Sequence, residues 1–253
     1  MPETINYSTR FKDPAAAAAY EFQEYGAGSY STCIWHWQRP VVGRIIQDYQ
    51  RTHPAPAQLL DFACGTGRVL AAVESLVDSA EGIDSSENMV ALARAKCRKA
   101  RLKVGDILSQ PELLQNNYDL ITAFRFLLNV EPAVQRAVLG KLRAVLREPD
   151  GLLLVNVHGN SHSLRHPALQ WRRWREQSRP TGAMLNEMSS PEAKALLREC
   201  GFQVVRQFGF GILPPTFYRT PLRAPAALAD KLLAGENFWR NWSIDLLFVC
   251  RPA

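Results

Sequence analysis

Residues 58–67 read QLLDFACGTG: Gln58, Leu59, Leu60, Asp61, Phe62, Ala63, Cys64, Gly65, Thr66 and Gly67. A short, mostly apolar run ends in a glycine turn, and beyond the turn the apolar spacing changes. Val69, Leu70, Val73 and Leu76 recur every three or four positions, the period of a helix with one face turned inward. The run before the turn is too short for a helix and suits a strand buried on both faces. Residues 58–64 are therefore predicted as a strand and 67–77 as a helix.

The same alternation continues outward. Further strands are predicted at 80–84, 101–107, 118–124 and 151–158. Ser85 or Ser86 caps a helix running to about Lys99, and Pro132 opens another with Val134, Val138, Leu142 and Val145 on one face. Ser189 and Glu192 have the spacing of a capping box, Gly201 stops that helix, and strands follow at 202–210 and 244–251. Upstream, Asp13 caps a helix with Pro14 in its first turn and alanines from Ala15 to Ala19, ended by Gly26. A second helix is expected to start near Pro40, with Val41, Val42, Ile45, Ile46 and Tyr49 inward. Strands alternating with helices require a mostly parallel sheet covered on both faces, with right-handed crossovers.

Composition narrows the class. The chain has 253 residues, 47% hydrophobic and 21% charged, which excludes a disordered chain and allows a full core without disulfides or structural metal. No run of about 18 apolar residues offers a membrane-spanning helix. The polar residues up to Asp13 carry no apolar export signal, so the protein is expected to stay inside the cell. Cys33, Cys64, Cys97, Cys200 and Cys250 are widely spaced and form no C-x-x-C pair. They read as reduced thiols of a cytoplasmic protein, not as a zinc site or disulfide framework. The net charge is +6, and Arg165, Arg172, Arg173, Arg175 and Arg179 face only Glu176 within one stretch. That stretch is either a solvated helix face or a surface for an anion.

The glycine turn is where chemistry is expected. Its glycines let a ligand approach the backbone, and the following helix offers unpaired N–H groups. It is not the dinucleotide fingerprint, because Leu70 holds the third glycine position, and no phosphate-binding G-x-x-x-x-G-K-[ST] loop occurs. Asp84, 23 residues after Asp61, ends the second strand, where an acid can accept bonds from both ribose hydroxyls. Asp106 follows the third strand. Three acids thus stand at the carboxyl ends of predicted strands, where open α/β sheets bind ligands.

From about residue 58 onward the chain resembles the class I S-adenosylmethionine-dependent methyltransferases. Asp61-x-Ala63-x-Gly65-x-Gly67 is similar to that family's D-x-G-x-G-x-G, with Ala63 in place of the first glycine. The resemblance implies a Rossmann-like seven-stranded sheet whose last strand is antiparallel. It also implies S-adenosylmethionine as cofactor. Asp61, Ala63, Gly65, Thr66 and Gly67 would surround its methionine end, Asp84 with Ser85 its ribose, and Met89, Asp106 and Ile107 its adenine. Phe124 and Arg125 would face both cofactor and acceptor.

On this reading the core spans 58–160. Residues 1–57 form a helical lid, 161–188 a basic insertion, and 189–253 the end of the sheet with an insertion at about 213–241. Aromatics concentrate in these outer parts. Tyr20, Tyr25, Tyr30, Trp35, His36 and Trp37 lie in the first; Trp171, Trp174, Phe217, Tyr218 and Trp239 lie in the insertions. They either line an acceptor pocket or hold the outer helices to the sheet, with Tyr25, Tyr30, His36 and Trp37 the substrate-side candidates. His158, at the end of the fifth strand, is the candidate base or substrate contact, with His36, His162 and His166 behind it. Arg125 is the candidate for an anionic acceptor or a developing oxyanion. The four-residue spacing of His158, His162 and His166 would suggest metal on a helix, but Gly159 and Asn160 break it. The expected reaction is methylation of a small molecule at a hydroxyl, carboxylate or phosphate oxygen, with nitrogen also open. An RNA or nucleotide methyltransferase, or a non-catalytic cofactor-binding protein of the same fold, are the alternatives.

Overall fold

The computed structural model describes residues 13, 15, 17, 19, 20, 26, 29–115, 117–167 and 187–253. The strands are β1 (Gln58–Phe62), β2 (Ser79–Asp84), β3 (Arg101–Val104), β4 (Leu120–Ala123), β5 (Leu152–Val157), β6 (Phe202–Phe210) and β7 (Asp245–Pro252). They form one sheet in the order β3-β2-β1-β4-β5-β7-β6. The pairs from β3 to β5 are parallel, and β7 runs antiparallel to both neighbours. This is the seven-stranded arrangement expected from the sequence.

Side-chain alternation sends each strand into two cores. Leu60, Ile121, Leu153, Val155, Leu246 and Phe248 join one core with α4 (Pro132–Val145) and α5 (Ser190–Glu199). Leu59, Leu120, Leu154, Leu247 and Val249 join the other with α1 (Tyr30–Thr52) and α2 (Arg68–Val73). By the same alternation Asp61, Thr122, Asn156 and Asp245 fall on the α1 side, near the edge where the parallel strands end. All four are at most 4% exposed.

Two helix boundaries depart from expectation. The helix placed near Pro40 starts ten residues earlier, at Tyr30, where the Ser29 Oγ accepts a bond from Thr32 N at 3.1 Å. Pro40 lies inside it and leaves the His36 carbonyl without its helical donor. One buried stripe of Ser31, Ile34, Gln38, Val42, Ile45, Ile46 and Tyr49 crosses that point and holds the helix together. Ser31 and Gln38 are polar, so the stripe was invisible as an apolar pattern. The helix expected to reach Val77 ends at Val73. Glu74 turns inward there, and its carboxylate accepts the backbone N–H groups of Arg98, Lys99 and Ala100 at 2.8–2.9 Å.

The remaining caps follow the sequence. Ser86 caps α3 (Glu87–Lys96), and Ser189 with Glu192 makes the reciprocal capping box of α5. Near the amino end Asp13 Oδ1 accepts from Ala15 N, as a helix cap does. The insertion after β6 carries α6 (Arg223–Leu233), and its Asp230 is fully buried. That carboxylate accepts from Ile212 N at 2.8 Å, Leu213 N at 3.0 Å and the Tyr218 hydroxyl at 2.6 Å.

Burial pushes the Glu74 pKa up, and the three N–H donors more than reverse this, so the net direction is down from 4.5. A lowered carboxyl pKa stabilises the fold above the ordinary glutamate range and ceases to do so as pH falls through it. Glu74→Gln is expected to cost about 1–3 kcal/mol at neutral pH. The variant and the parent should converge in urea unfolding once the pH falls below the lowered Glu74 pKa.

Candidate functional site

The turn after β1 puts Ala63, Gly65 and Gly67 in left-handed conformations, with φ of 53°, 52° and 75°. Alanine therefore stands where the backbone favours glycine, at a cost of about 1–2 kcal/mol. Asp84 braces the turn from β2. Its Oδ2 accepts from Gly65 N at 2.8 Å and its Oδ1 from Ser86 N at 2.9 Å. The two glycines differ in purpose. A Cβ on Gly67 would lie 2.9 Å from both Ala93 Cβ and Cys97 Sγ, so this glycine lets α2 and α3 pack closely. A Cβ on Gly65 would meet nothing within 4 Å, so open space lies in front of the turn.

Asp61 is buried beside this turn. Its Oδ1 accepts from the Thr122 hydroxyl at 2.6 Å, while its Oδ2 is buried without a hydrogen-bond partner among the described residues. Burial raises its pKa to about 7, against the opposing pull of the Thr122 hydroxyl and the Arg68 charge. The Arg68 guanidinium lies over the Trp35 ring, 4.6 Å from its centre, and Trp35 meets Phe124 edge-on at 6.1 Å.

A second polar group gathers at the ends of β4, β5 and β7. Arg125 follows β4 with φ of 55°, and its Nη2 donates to the Ser31 Oγ at 2.9 Å. Asn156 ties the group together. Its Oδ1 accepts from Arg125 N at 3.3 Å, and its Nδ2 donates to Asp245 Oδ1 and to the Leu246 carbonyl. Gln38 Nε2, from α1, donates to the same Asp245 oxygen at 2.7 Å. Burial raises the Asp245 pKa to about 6, with Arg125, Asn156, Gln38 and Arg68 pulling it back.

His158 Nδ1 is buried without a partner among the described residues. Burial first, and then Arg125 and Arg68, hold this imidazole well below its usual pKa, so it is neutral. The Tyr30 hydroxyl is likewise buried and unpartnered, and its ring meets Tyr218 edge-on at 5.1 Å. Burial and the nearby Asp230 and Asp245 charges raise the Tyr30 pKa.

The structure thus gathers Asp61, Ala63, Gly65, Gly67, Asp84, Phe124, Arg125, His158 and Tyr30 along one edge of the sheet. Thr66 is buried and accepts from Lys96 Nζ at 3.2 Å. Met89 is buried in the first turn of α3 and packs with Ala17. Ile107 is buried in the α4-side core, while Asp106 is exposed and accepts from Leu108 N at 2.9 Å. Ser85 is exposed, the cap being Ser86.

Other candidates stand apart from this edge. His36 is exposed on the outer side of α1, and Trp37 is half-buried against the α1-side core. Phe217 and Trp239 are exposed, Trp239 in a surface cluster with Phe238 and Trp242. His162 is exposed, and His166 lies 3.4 Å from Glu187. Among the described residues no three His, Cys, Asp or Glu side chains cluster as metal ligands. Tyr25, Trp171, Trp174, Arg172, Arg173, Arg175 and Arg179 lie outside the described residues. Arg165 lies inside them, and its charge acts on Tyr30.

Sequence reading passed over Gln38, Arg68, Asn156 and Asp245. The available signal was a polar residue inside an apolar strand, in Val155-Asn156-Val157 and at the head of Asp245-Leu246-Leu247-Phe248. Two outcomes are expected. Ala63→Gly should hold or raise stability by up to about 1 kcal/mol, read by urea unfolding. Between the ordinary aspartate value and about 7 the folded Asp61 keeps a proton that the unfolded chain releases, so stability falls as pH rises. Asp61→Asn should flatten that decline.

Residues 34–207 match the methyltransferase domain family. A protein of Geobacillus sp. (strain WCH70) named as a methyltransferase is 31% identical over 126 residues. That match covers 48% of this chain, and the chain spans about half the length of that relative, 49%. Among solved structures, magnesium protoporphyrin IX methyltransferase from Synechocystis PCC 6803, with bound S-adenosylhomocysteine, superposes with a TM-score of 0.63 at 15% identity. The superposition covers 97% of this chain and 98% of that one. Human N-acetylserotonin methyltransferase, in complex with S-adenosylmethionine, gives a TM-score of 0.59 at 15% identity, covering all of this chain and 60% of that one. The fold is therefore shared with these enzymes, and the chain belongs to the methyltransferase domain family.

Proposed function

We propose that this chain transfers a methyl group from S-adenosylmethionine to an oxygen atom of a small molecule. The observation that carries this reading is the buried, unpartnered Asp61 Oδ2 beside a turn with open space at Gly65. A desolvated carboxylate oxygen needs a cationic or hydrogen-bonding partner, and the ammonium of an amino-acid tail is one. Asp61, Ala63, Gly65, Thr66 and Gly67 would hold that end. Asp84 with the neighbouring Ser85 would take the ribose, since each Asp84 oxygen keeps a lone pair beyond its backbone bond. Met89, Asp106 and Ile107 would take the adenine, with Phe124 between cofactor and acceptor.

When bound, the cofactor supplies a methyl group already activated on a positive sulfur. The protein's part is orientation and exclusion of water. Arg125 holds an acceptor oxygen and stabilises charge developing on it. His158 contacts the acceptor as a neutral hydrogen-bond partner, because taking up a proton between two arginines in a buried site is unfavourable. Tyr30 and Tyr218 form the aromatic wall on that side. Residues 58–160 make the cofactor core, and the outer segments 1–57, 161–188 and 213–241 shape acceptor choice. Five free thiols support a reducing, cytoplasmic setting.

Calorimetric titration with S-adenosylhomocysteine tests the reading. One-to-one binding is expected, and Asp84→Ala should weaken it by about 1–3 kcal/mol. No heat from well-folded protein would overturn the assignment. At pH 7 the binding enthalpy should also vary with the ionisation enthalpy of the buffer, because an ammonium arriving at Asp61 displaces its proton.

A further inference from the structure

We propose that Asp245 is the proton-accepting residue for a hydroxyl acceptor, its Oδ2 receiving the hydroxyl proton as the oxygen is methylated. The inference rests on the methyltransferase reading and narrows it to hydroxyl substrates.

The geometry begins with Oδ1. It takes two amide donors, Gln38 Nε2 from α1 and Asn156 Nδ2 from β5. Two donors on one oxygen fix the plane of the carboxylate, and no described residue bonds to Oδ2. Asp245 opens β7, and the pairing of Val157 with Leu246 sets it directly beside His158 in the antiparallel register. Asn156 also holds the Arg125 backbone N–H, so one buried side chain positions both a base and a cation.

The charged and titratable groups around Asp245 come from four elements. Arg68 begins α2, Arg125 follows β4, His158 follows β5, and Tyr30 begins α1. The arginines favour an ionised acceptor oxygen, and burial keeps the carboxylate basic enough to take a proton near neutral pH. His158, beside the same arginines, is held neutral and is the poorer base.

The step balances as follows. The acceptor O–H bond breaks and its proton goes to Oδ2. The freed oxygen pair forms the bond to the methyl carbon. The carbon–sulfur bond breaks, and its pair stays on sulfur as a neutral thioether. The carboxyl then returns its proton to solvent. A carboxylate or phosphate acceptor brings no proton and would set a second negative charge against Asp245 in a buried site.

The test uses Asp245→Asn, whose amide oxygen can keep the Gln38 and Asn156 donors while an NH2 group replaces the basic oxygen. S-adenosylhomocysteine should bind the variant and the parent equally by calorimetry. Phenol added to each complex is then followed by infrared difference spectroscopy as the pH is lowered. The parent should show the C=O band of the Asp245 carboxyl group on acidification, displaced to lower pH by phenol because a bound hydroxyl donates to the carboxylate, and the variant should lack this phenol-dependent band. With S-adenosylmethionine, the parent should methylate phenol in preference to benzoate, and the variant should lose about 10²- to 10⁴-fold in transfer to phenol. Failure of the parent to bind S-adenosylhomocysteine would sink the methyltransferase reading itself. With that binding intact, an absent band in the parent, the same band in the variant, an unchanged rate or a preference for benzoate would each overturn the role of Asp245.

Discussion

A sheet covered on both faces admits buried polar atoms only where they find partners, and this constraint shapes the cleft. On the α1 side, four polar residues interrupt the apolar layer at one edge: Asp61, Thr122, Asn156 and Asp245. Thr122 satisfies one oxygen of Asp61, and Asn156 commits both its N–H groups and its oxygen. Among the described residues, what stays unmet is Asp61 Oδ2, the His158 imidazole nitrogen and the Tyr30 hydroxyl. Each unmet buried group costs about 1–3 kcal/mol. Three such costs along one sheet edge are tolerable when ligands complete the bonds.

Backbone strain marks the same place. Ala63 and Arg125 are non-glycine residues with φ near 55°, one after β1 and the other after β4. These strands are neighbours in the sheet, so the two strained residues flank the point where cofactor and acceptor would meet. Strain of this kind persists where surrounding contacts over-determine it. For Ala63 the adjoining turn is braced by Asp84, and for Arg125 the contacts are Asn156, Asn129 and Ser31.

The sheet and most of its helices were legible because their signals are local. Strand β5 is an apolar run broken by Asn156 alone, α4 has one apolar face, and α5 opens with a capping box. The glycine turn proposed to hold the cofactor was legible through the spacing of Asp61, Gly65, Gly67 and Asp84. The polar cluster proposed to face the acceptor was much less so. Gln38, Asn156 and Asp245 meet across as many as 207 positions of chain, and no local pattern marks a hydrogen bond of that span. Pro40 misled the placement of α1 because proline's local penalty is plain in a sequence, whereas the buried stripe that offsets it belongs to the tertiary fold. His36 looked suitable by residue type, yet the phase of α1 turns it outward.

The fully buried Asp230 has a consequence for how this scaffold diversifies. It receives Ile212 N, Leu213 N and the Tyr218 hydroxyl, so one carboxylate secures the chain as it leaves the sheet. Leu222, Leu228, Leu232 and Phe238, on the outside of the same insertion, make no such commitment and stand exposed. Mutation can therefore rewrite the outer surface while the root stays fixed. Variation of that exterior should leave the insertion folded as long as Ile212, Tyr218 and Asp230 are kept.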